Sequence, residues 1–233
     1  MPKKPTVTIG RAIGQRQSRL DSLPASSYDP DMNLPNALTL SRIFLAPIFF
    51  LSLFLPIWLG SGFTIWYIVA WVLFFYIEIS DIIDGHLARS MGMVSDLGKL
   101  LDPFSDVISR LTYFVAFTAI LNIMPIWMFL ILLYRELGIT FLRTILFNRG
   151  IAMAARKGGK FKAILYAISG GAGLLVIGAF GFNLDSSLVQ ATRIIALVSF
   201  GLSVVVSVIS FIDYVIVFLR LYRESKAKLK PTV

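Results

Sequence analysis

The sequence contains no cysteine and a single histidine, His86. The first absence excludes disulfides, thiolate metal sites and a cysteine nucleophile. The second excludes a histidine-rich zinc site. Carboxylates remain as the protein ligands for any metal, which favours hard cations such as Mg2+ or Mn2+. Charge is scarce too: 15% of the 233 residues are charged and 57% are hydrophobic, against about 25% and about 45–50% in soluble domains. Lipid is therefore the solvent implied for much of the chain. No apolar h-region follows the basic residues Lys3, Lys4, Arg11, Arg16 and Arg19, so residues 1–33 read as a loosely ordered cytosolic tail and not as a cleaved signal.

What is present is a series of long apolar stretches. A bilayer core needs roughly 20 apolar residues per helix. Six stretches meet this: about Leu40–Leu59, Phe63–Ile83, Gly98–Ile123, Pro125–Phe147, Phe161–Phe182 and Leu188–Leu219, the last too long for one straight span. Asn33 is placed to cap the first helix and Pro35 to sit in its first turn. Asn36–Arg42 is expected along the interface before the chain enters the bilayer. The loops at Gly60–Gly62, Asn122–Pro125 and Asn183–Gln190 carry no Lys or Arg. The opposite side carries Arg89, Lys99, Arg149, Arg156, Lys157, Lys160, Lys162 and the end from Arg220 to Lys230. This asymmetry predicts both termini in the cytosol. The expected fold is an all-α integral membrane protein with six transmembrane helices: a basic tail over 1–33, a membrane domain over 34–223 and a basic cytosolic end over 224–233. The net charge of +9 is explained by cytoplasmic loops that meet anionic lipid, and no nucleic-acid partner is expected.

Four aspartates stand where an apolar helix should have none. A carboxylate at mid-bilayer costs about 2.5–3.5 kcal/mol on insertion scales, so such residues are functional by default. Asp81 and Asp84 lie three apart at the end of the second stretch, and Asp102 and Asp106 four apart at the start of the third. Each pair shares a helix face. A short turn near Ser90–Val94 makes the two helices antiparallel, so the pairs can face each other across a cleft. Carboxylates so crowded need cations to stay ionised, and two divalent ions fit the charge and the ligand type. A two-metal site clamps the attacking and leaving oxygens of a phosphoryl transfer. Gly85 removes a side chain where backbone must approach a ligand, and Gly98 leaves room for a flat group such as a nucleobase.

These residues read Asp81-x2-Asp84-Gly85-x2-Ala88-Arg89-x8-Gly98-x3-Asp102-x3-Asp106. The pattern resembles the signature of the CDP-alcohol phosphotransferase family, D-x2-D-G-x2-A-R-x8-G-x3-D-x3-D, at every fixed position. The six-span layout from about Leu34 to Arg223 resembles the family as well. The resemblance implies two divalent cations, Mg2+ or Mn2+, held by Asp81, Asp84, Asp102 and Asp106, with Asp106 also the general base for the acceptor hydroxyl. It implies a CDP site lined by Gly85, Ala88, Arg89 and Gly98, a homodimer, and a site facing the cytosol of a bacterial cytoplasmic membrane.

CDP-diacylglycerol is the expected donor. For the acceptor, Pro35-Asn36-Ala37-Leu38-Thr39-Leu40-Ser41-Arg42, Arg135-Glu136 with Arg143, and Gly159-Lys160-Phe161-Lys162 resemble the P-N-x-L-T-x-x-R, R-E-x6-R and G-K-x-K segments of bacterial phosphatidylglycerophosphate synthases. Arg110, Arg135, Arg143, Lys160 and Lys162 are the candidates to hold the phosphate of glycerol 3-phosphate. Ser105 and Val107 stand where that subfamily usually has Ala and Lys. This departure keeps inositol 1-phosphate as the rival acceptor, and a free alcohol as a weaker one. An ion-coupled transporter is the alternative from another class, although its charges would be expected nearer the midplane and no internal repeat is visible.

Overall fold

The computed structural model describes residues 34–90, 96–147, 151 and 157–228. The basic tail over 1–33 and the turn expected at Ser90–Val94 fall outside them, Ser90 apart, as does the Asn33 cap. The described chain folds into six helices: α1 Leu34–Leu59, α2 Phe63–Ser90, α3 Asp96–Ala119, α4 Ile126–Phe147, α5 Lys157–Gly181 and α6 Ser186–Lys228. Among the described residues there is no strand.

Four helices hold windows long and apolar enough to cross a bilayer, at Asn36–Leu59, Phe63–Ile83, Phe161–Gly181 and Ser186–Ser225. The protein is an integral membrane protein. α3 and α4 are long enough but too charged: α3 carries Asp96, Lys99, Asp102, Asp106 and Arg110, and α4 carries Arg135, Glu136 and Arg143. Several helices run beyond the apolar stretches, as α2 does to Ser90 and α6 to Lys228, and one ends well short of its stretch. The third helix stops at Ala119 and not near Ile123, because Leu121 and Asn122 take left-handed φ of 53° and 49°, which no helix continues. The chain closes there with the Met124 amide donating to the Phe117 carbonyl at 3.1 Å. With Pro35 in the opening turn of α1, the segment Asn36–Arg42 belongs to the first helix. It forms the opening turns of α1, with Asn36, Thr39 and Arg42 turned inward and buried.

α1 packs against both α2 and α3, α6 packs against α4 and α5, and α3 also meets α4 and α5. The core they share is aromatic. Phe49, Phe74, Tyr113, Phe114, Phe117, Tyr166 and Phe200 are buried, and they meet edge-to-face, as in Phe114–Tyr166 at 5.2 Å and Phe114–Phe200 at 5.9 Å between ring centroids. Such pairs add about 0.5–1.5 kcal/mol beyond burial. In lipid there is no hydrophobic drive between helices, so close packing has to supply the association. The outer faces are apolar: Ile65, Ile68, Val72 and Ile79 of α2, and Ile209, Ile212 and Ile216 of α6, recur at helical spacing and are exposed, as expected of residues that face acyl chains.

Small residues on α5 admit the large rings. A Cβ at Gly173 would stand 2.7 Å from the Phe117 ring, and one at Gly170 would stand 2.5 Å from Phe74. Gly173→Val is therefore expected to lower stability by about 1–3 kcal/mol through overpacking, read as an earlier thermal melt in detergent. An unchanged melt would show that α5 and α3 are not held this closely.

Candidate active site

α1 presents one continuous inward stripe. Asn36, Thr39, Arg42, Ala46, Phe49 and Leu53 follow one another at three- and four-residue steps, and all are buried. The stripe is polar for its first two turns and apolar beyond, so α1 delivers one guanidinium, that of Arg42, into the interior. α2 delivers Asp81 from its last apolar turns, with Glu78 one turn earlier. α3 delivers Asp102 and Asp106 on the stripe that continues through Ser109, Arg110 and Tyr113.

These side chains converge. Arg42 Nη1 donates to Asp81 Oδ1 at 2.9 Å and to Asp106 Oδ1 at 2.6 Å, and Nη2 donates to Asp102 Oδ1 at 3.0 Å. Arg110 Nη2 donates to Asp81 Oδ2 at 3.0 Å, and its Nη1 lies 3.6 Å from Asp106 Oδ2. Arg42 is 1% exposed, whereas the Asp102 side chain is 49% exposed. The cluster therefore runs from a buried floor to an open edge. Behind it Glu78 accepts from Tyr113 Oη at 2.8 Å, in a cavity that also touches Arg42, Asp106, Ser109 and Arg110. Among the described residues, that cavity is lined by Glu78 and Asp81 of α2 and by Asp106 and Arg110 of α3. α1 packs against both helices and sets Arg42 among Asp81, Asp102 and Asp106.

Asp81, Asp102 and Asp106 each present a carboxylate oxygen, and these three atoms all lie within 4.8 Å of one another. Hard oxygen donors gathered this closely, from helices fixed by the core, suit a hard divalent cation. The triad could bind a metal. Asp84, Gly85, Ala88 and Arg89 fall in the last turns of α2 and Gly98 in the first turn of α3. Their side chains lie outside the described residues, and so does that of Lys160.

The cations singled out from sequence are dispersed among different partners. Arg110 is bound to the aspartates. Arg135 and Lys162 share one carboxylate: Arg135 Nη1 donates to Glu136 Oε1 and Oε2, each at 3.0 Å, and Lys162 Nζ donates to Glu136 Oε1 at 2.6 Å. Arg143 donates to Tyr214 Oη at 2.8 Å. Tyr166 ties the two groups together. Its Oη donates to Glu136 Oε1 at 3.1 Å and lies 2.7 Å from Ser207 Oγ, while the Arg110 guanidinium sits 5.9 Å from its ring centroid. α6 meets this cluster with Ser207 and Ser210 and carries Ser199 and Ser203 in the turns before them, all buried. Ser210 accepts from Arg135 at 3.1 Å and Ser203 pairs with Ser169 at 2.8 Å. Hydrogen bonds of this kind join helices in lipid.

From the sequence, Arg42 stands out only as the end of a motif and Glu78 only as a charge beside Asp81 and Asp84 with no role of its own, and the serine stripe of α6 is not singled out. The signal for Arg42 was present: Asn36, Thr39 and Arg42 recur every third residue, which places them on one helix face. Serines at 199, 203, 207 and 210 carry a similar period.

Comparison with known proteins agrees with this geometry. The family model described as CDP-alcohol phosphatidyltransferase matches residues 32–209. The chain is 34% identical to a probable phosphatidylglycerophosphate synthase of Mycobacterium tuberculosis over 188 residues, 81% of this chain and 82% of that one. It is 32% identical to a CDP-diacylglycerol–glycerol-3-phosphate 3-phosphatidyltransferase of Treponema pallidum, over 66% of this chain and 71% of that one. It is 34% identical to the protein of that name from Bacillus subtilis, over 56% and 70%. The matched region spans α1 to the greater part of α6 and includes every residue of the acidic cluster, so the chain belongs to the CDP-alcohol phosphatidyltransferase family of enzymes.

Proposed function

We propose that the protein transfers the phosphatidyl group of CDP-diacylglycerol to glycerol 3-phosphate, giving phosphatidylglycerophosphate and CMP. The observation that carries this is the gathering of Asp81, Asp102 and Asp106 at the end of two apolar helices, in a chain similar over most of its length to proteins named for that reaction. These residues and Asp84 would hold two divalent cations, Mg2+ or Mn2+, which would supply positive charge to neutralise the pyrophosphate and the departing CMP. Asp106 accepts the proton of the acceptor hydroxyl. The freed oxygen forms a bond to the phosphorus that carries diacylglycerol, and the bond from that phosphorus to the bridging oxygen breaks, releasing CMP. Gly85, Ala88, Arg89 and Gly98 line the cytidine diphosphate site.

Lys162, Arg135, Arg143, Arg110 and Lys160 receive the acceptor phosphate. Two cations on the single carboxylate of Glu136 leave positive charge for an anion. Lys162→Met is expected to raise KM for glycerol 3-phosphate about tenfold or more, the worth of a charge-assisted hydrogen bond, while KM for CDP-diacylglycerol stays put. An equal rise in both would point to a folding defect and not to an acceptor contact.

All six helices cross the membrane in this proposal. α3 and α4 are admitted because Asp102, Asp106 and Arg110 are paired with Arg42 and Asp81, and Arg135 and Glu136 with each other and with Lys162. The Lys and Arg asymmetry of the loops supports termini and a site in the cytosol, and the family resemblance supports a homodimer in a bacterial cytoplasmic membrane. Val107, where the synthase subfamily usually has Lys, favours inositol 1-phosphate as the second reading. CMP release by the purified protein with CDP-diacylglycerol and Mg2+, offered glycerol 3-phosphate, inositol 1-phosphate or free alcohols, separates them. Release with glycerol 3-phosphate alone supports the proposal, and release only with another acceptor overturns it.

A further inference from the structure

Arg42 has no part in the chemistry above, yet it stands at the centre of the site. Its two terminal nitrogens reach one oxygen of Asp81, Asp102 and Asp106 at 2.6–3.0 Å, and these are the carboxylates that gather to within 4.8 Å of one another. A structural ion pair would need only one of them. Arg110 already supplies such a link between Asp81 and Asp106. Arg42 instead brings a single cation from α1 onto ligands from two other helices. A guanidinium is a rigid planar fork that does not lose its charge, and it repels a second cation bound to the same oxygens.

We propose that Arg42 is an internal counter-ion of the metal centre: it keeps Asp81, Asp102 and Asp106 in register and competes with the divalent cation for them, so that it sets metal affinity. This rests on reading the acidic cluster as a metal centre. Arg42 is thus a positioning residue and not a catalytic one. Its competition explains why α1 buries an arginine on a stripe that is otherwise uncharged.

The test is Mn2+ binding, followed by electron paramagnetic resonance, to chelator-stripped full-length protein in detergent. Arg42→Gln removes the competing charge and is expected to tighten Mn2+ binding about tenfold or more. Its melt without metal should fall below that of the wild type, and the gap should close at saturating Mn2+. Arg42→Lys keeps the charge and is expected within about threefold of the wild type. Unchanged or weaker Mn2+ binding by Arg42→Gln overturns the proposal. If that variant folds only with metal, it is purified with Mn2+ and the ion is drawn off by chelator. Slower release than from the wild type supports the proposal, and equal or faster release overturns it. A wild type that binds no Mn2+ would remove the metal centre itself; a wild type that binds it with both variants unchanged would sink only the role of Arg42.

Discussion

Asp106→Asn is expected to lower CMP release by about 10²–10⁴-fold, the range of general-base catalysis, with the loss deepened because the same residue is also a proposed metal ligand. The substitution keeps size and shape but removes the charge that faces two guanidiniums, Arg42 Nη1 at 2.6 Å and Arg110 Nη1 at 3.6 Å. An amide oxygen can still accept from Arg42, so the fold survives, and the melt in detergent should shift far less than the rate. The measurement is the initial rate of CMP release beside that melt. Near-normal turnover by a folded variant would remove Asp106 from the mechanism. A collapse of both would give it a structural role only.

Stripping divalent cations is expected to have an effect as large. Hard oxygen donors are the available ligands, with no cysteine and one histidine in the chain, so chelation by EDTA should bring CMP release to background and Mg2+ or Mn2+ should restore it. Monovalent salt should not, because it cannot neutralise a pyrophosphate held among carboxylates at comparable concentration. Full activity in excess chelator would contradict the metal centre.

The six helices were legible because each apolar stretch is bounded by a turn or a cluster of base, and the acidic character of Asp81, Asp102 and Asp106 because a carboxylate in such a stretch has no structural reason to be there. Helix α3 was drawn too long, since nothing in Leu121-Asn122 announces two consecutive left-handed residues. The inward turn of Asn36, Thr39 and Arg42 was hidden for a different reason. Their period was visible, but which helix they face depends on tertiary order. Sequence adjacency suggested α2 against α3, whereas α1 packs on both and its arginine enters between them. The sharing of Arg135 and Lys162 by Glu136 was half legible. Arg135 and Glu136 are neighbours in the chain, but Lys162 arrives from α5 across 26 residues, a separation no local pattern specifies.

The most direct test of phosphatidyl transfer at this carboxylate cluster is the passage of radiolabelled glycerol 3-phosphate into chloroform-soluble lipid. It would be measured with purified protein, CDP-diacylglycerol and Mg2+, comparing the wild type with Asp106→Asn. Label entering lipid with the wild type, in step with CMP release and lost in the variant, is the predicted result. Label that stays in water while CMP is released would contradict the acceptor, and label that enters lipid equally with both proteins would contradict the site.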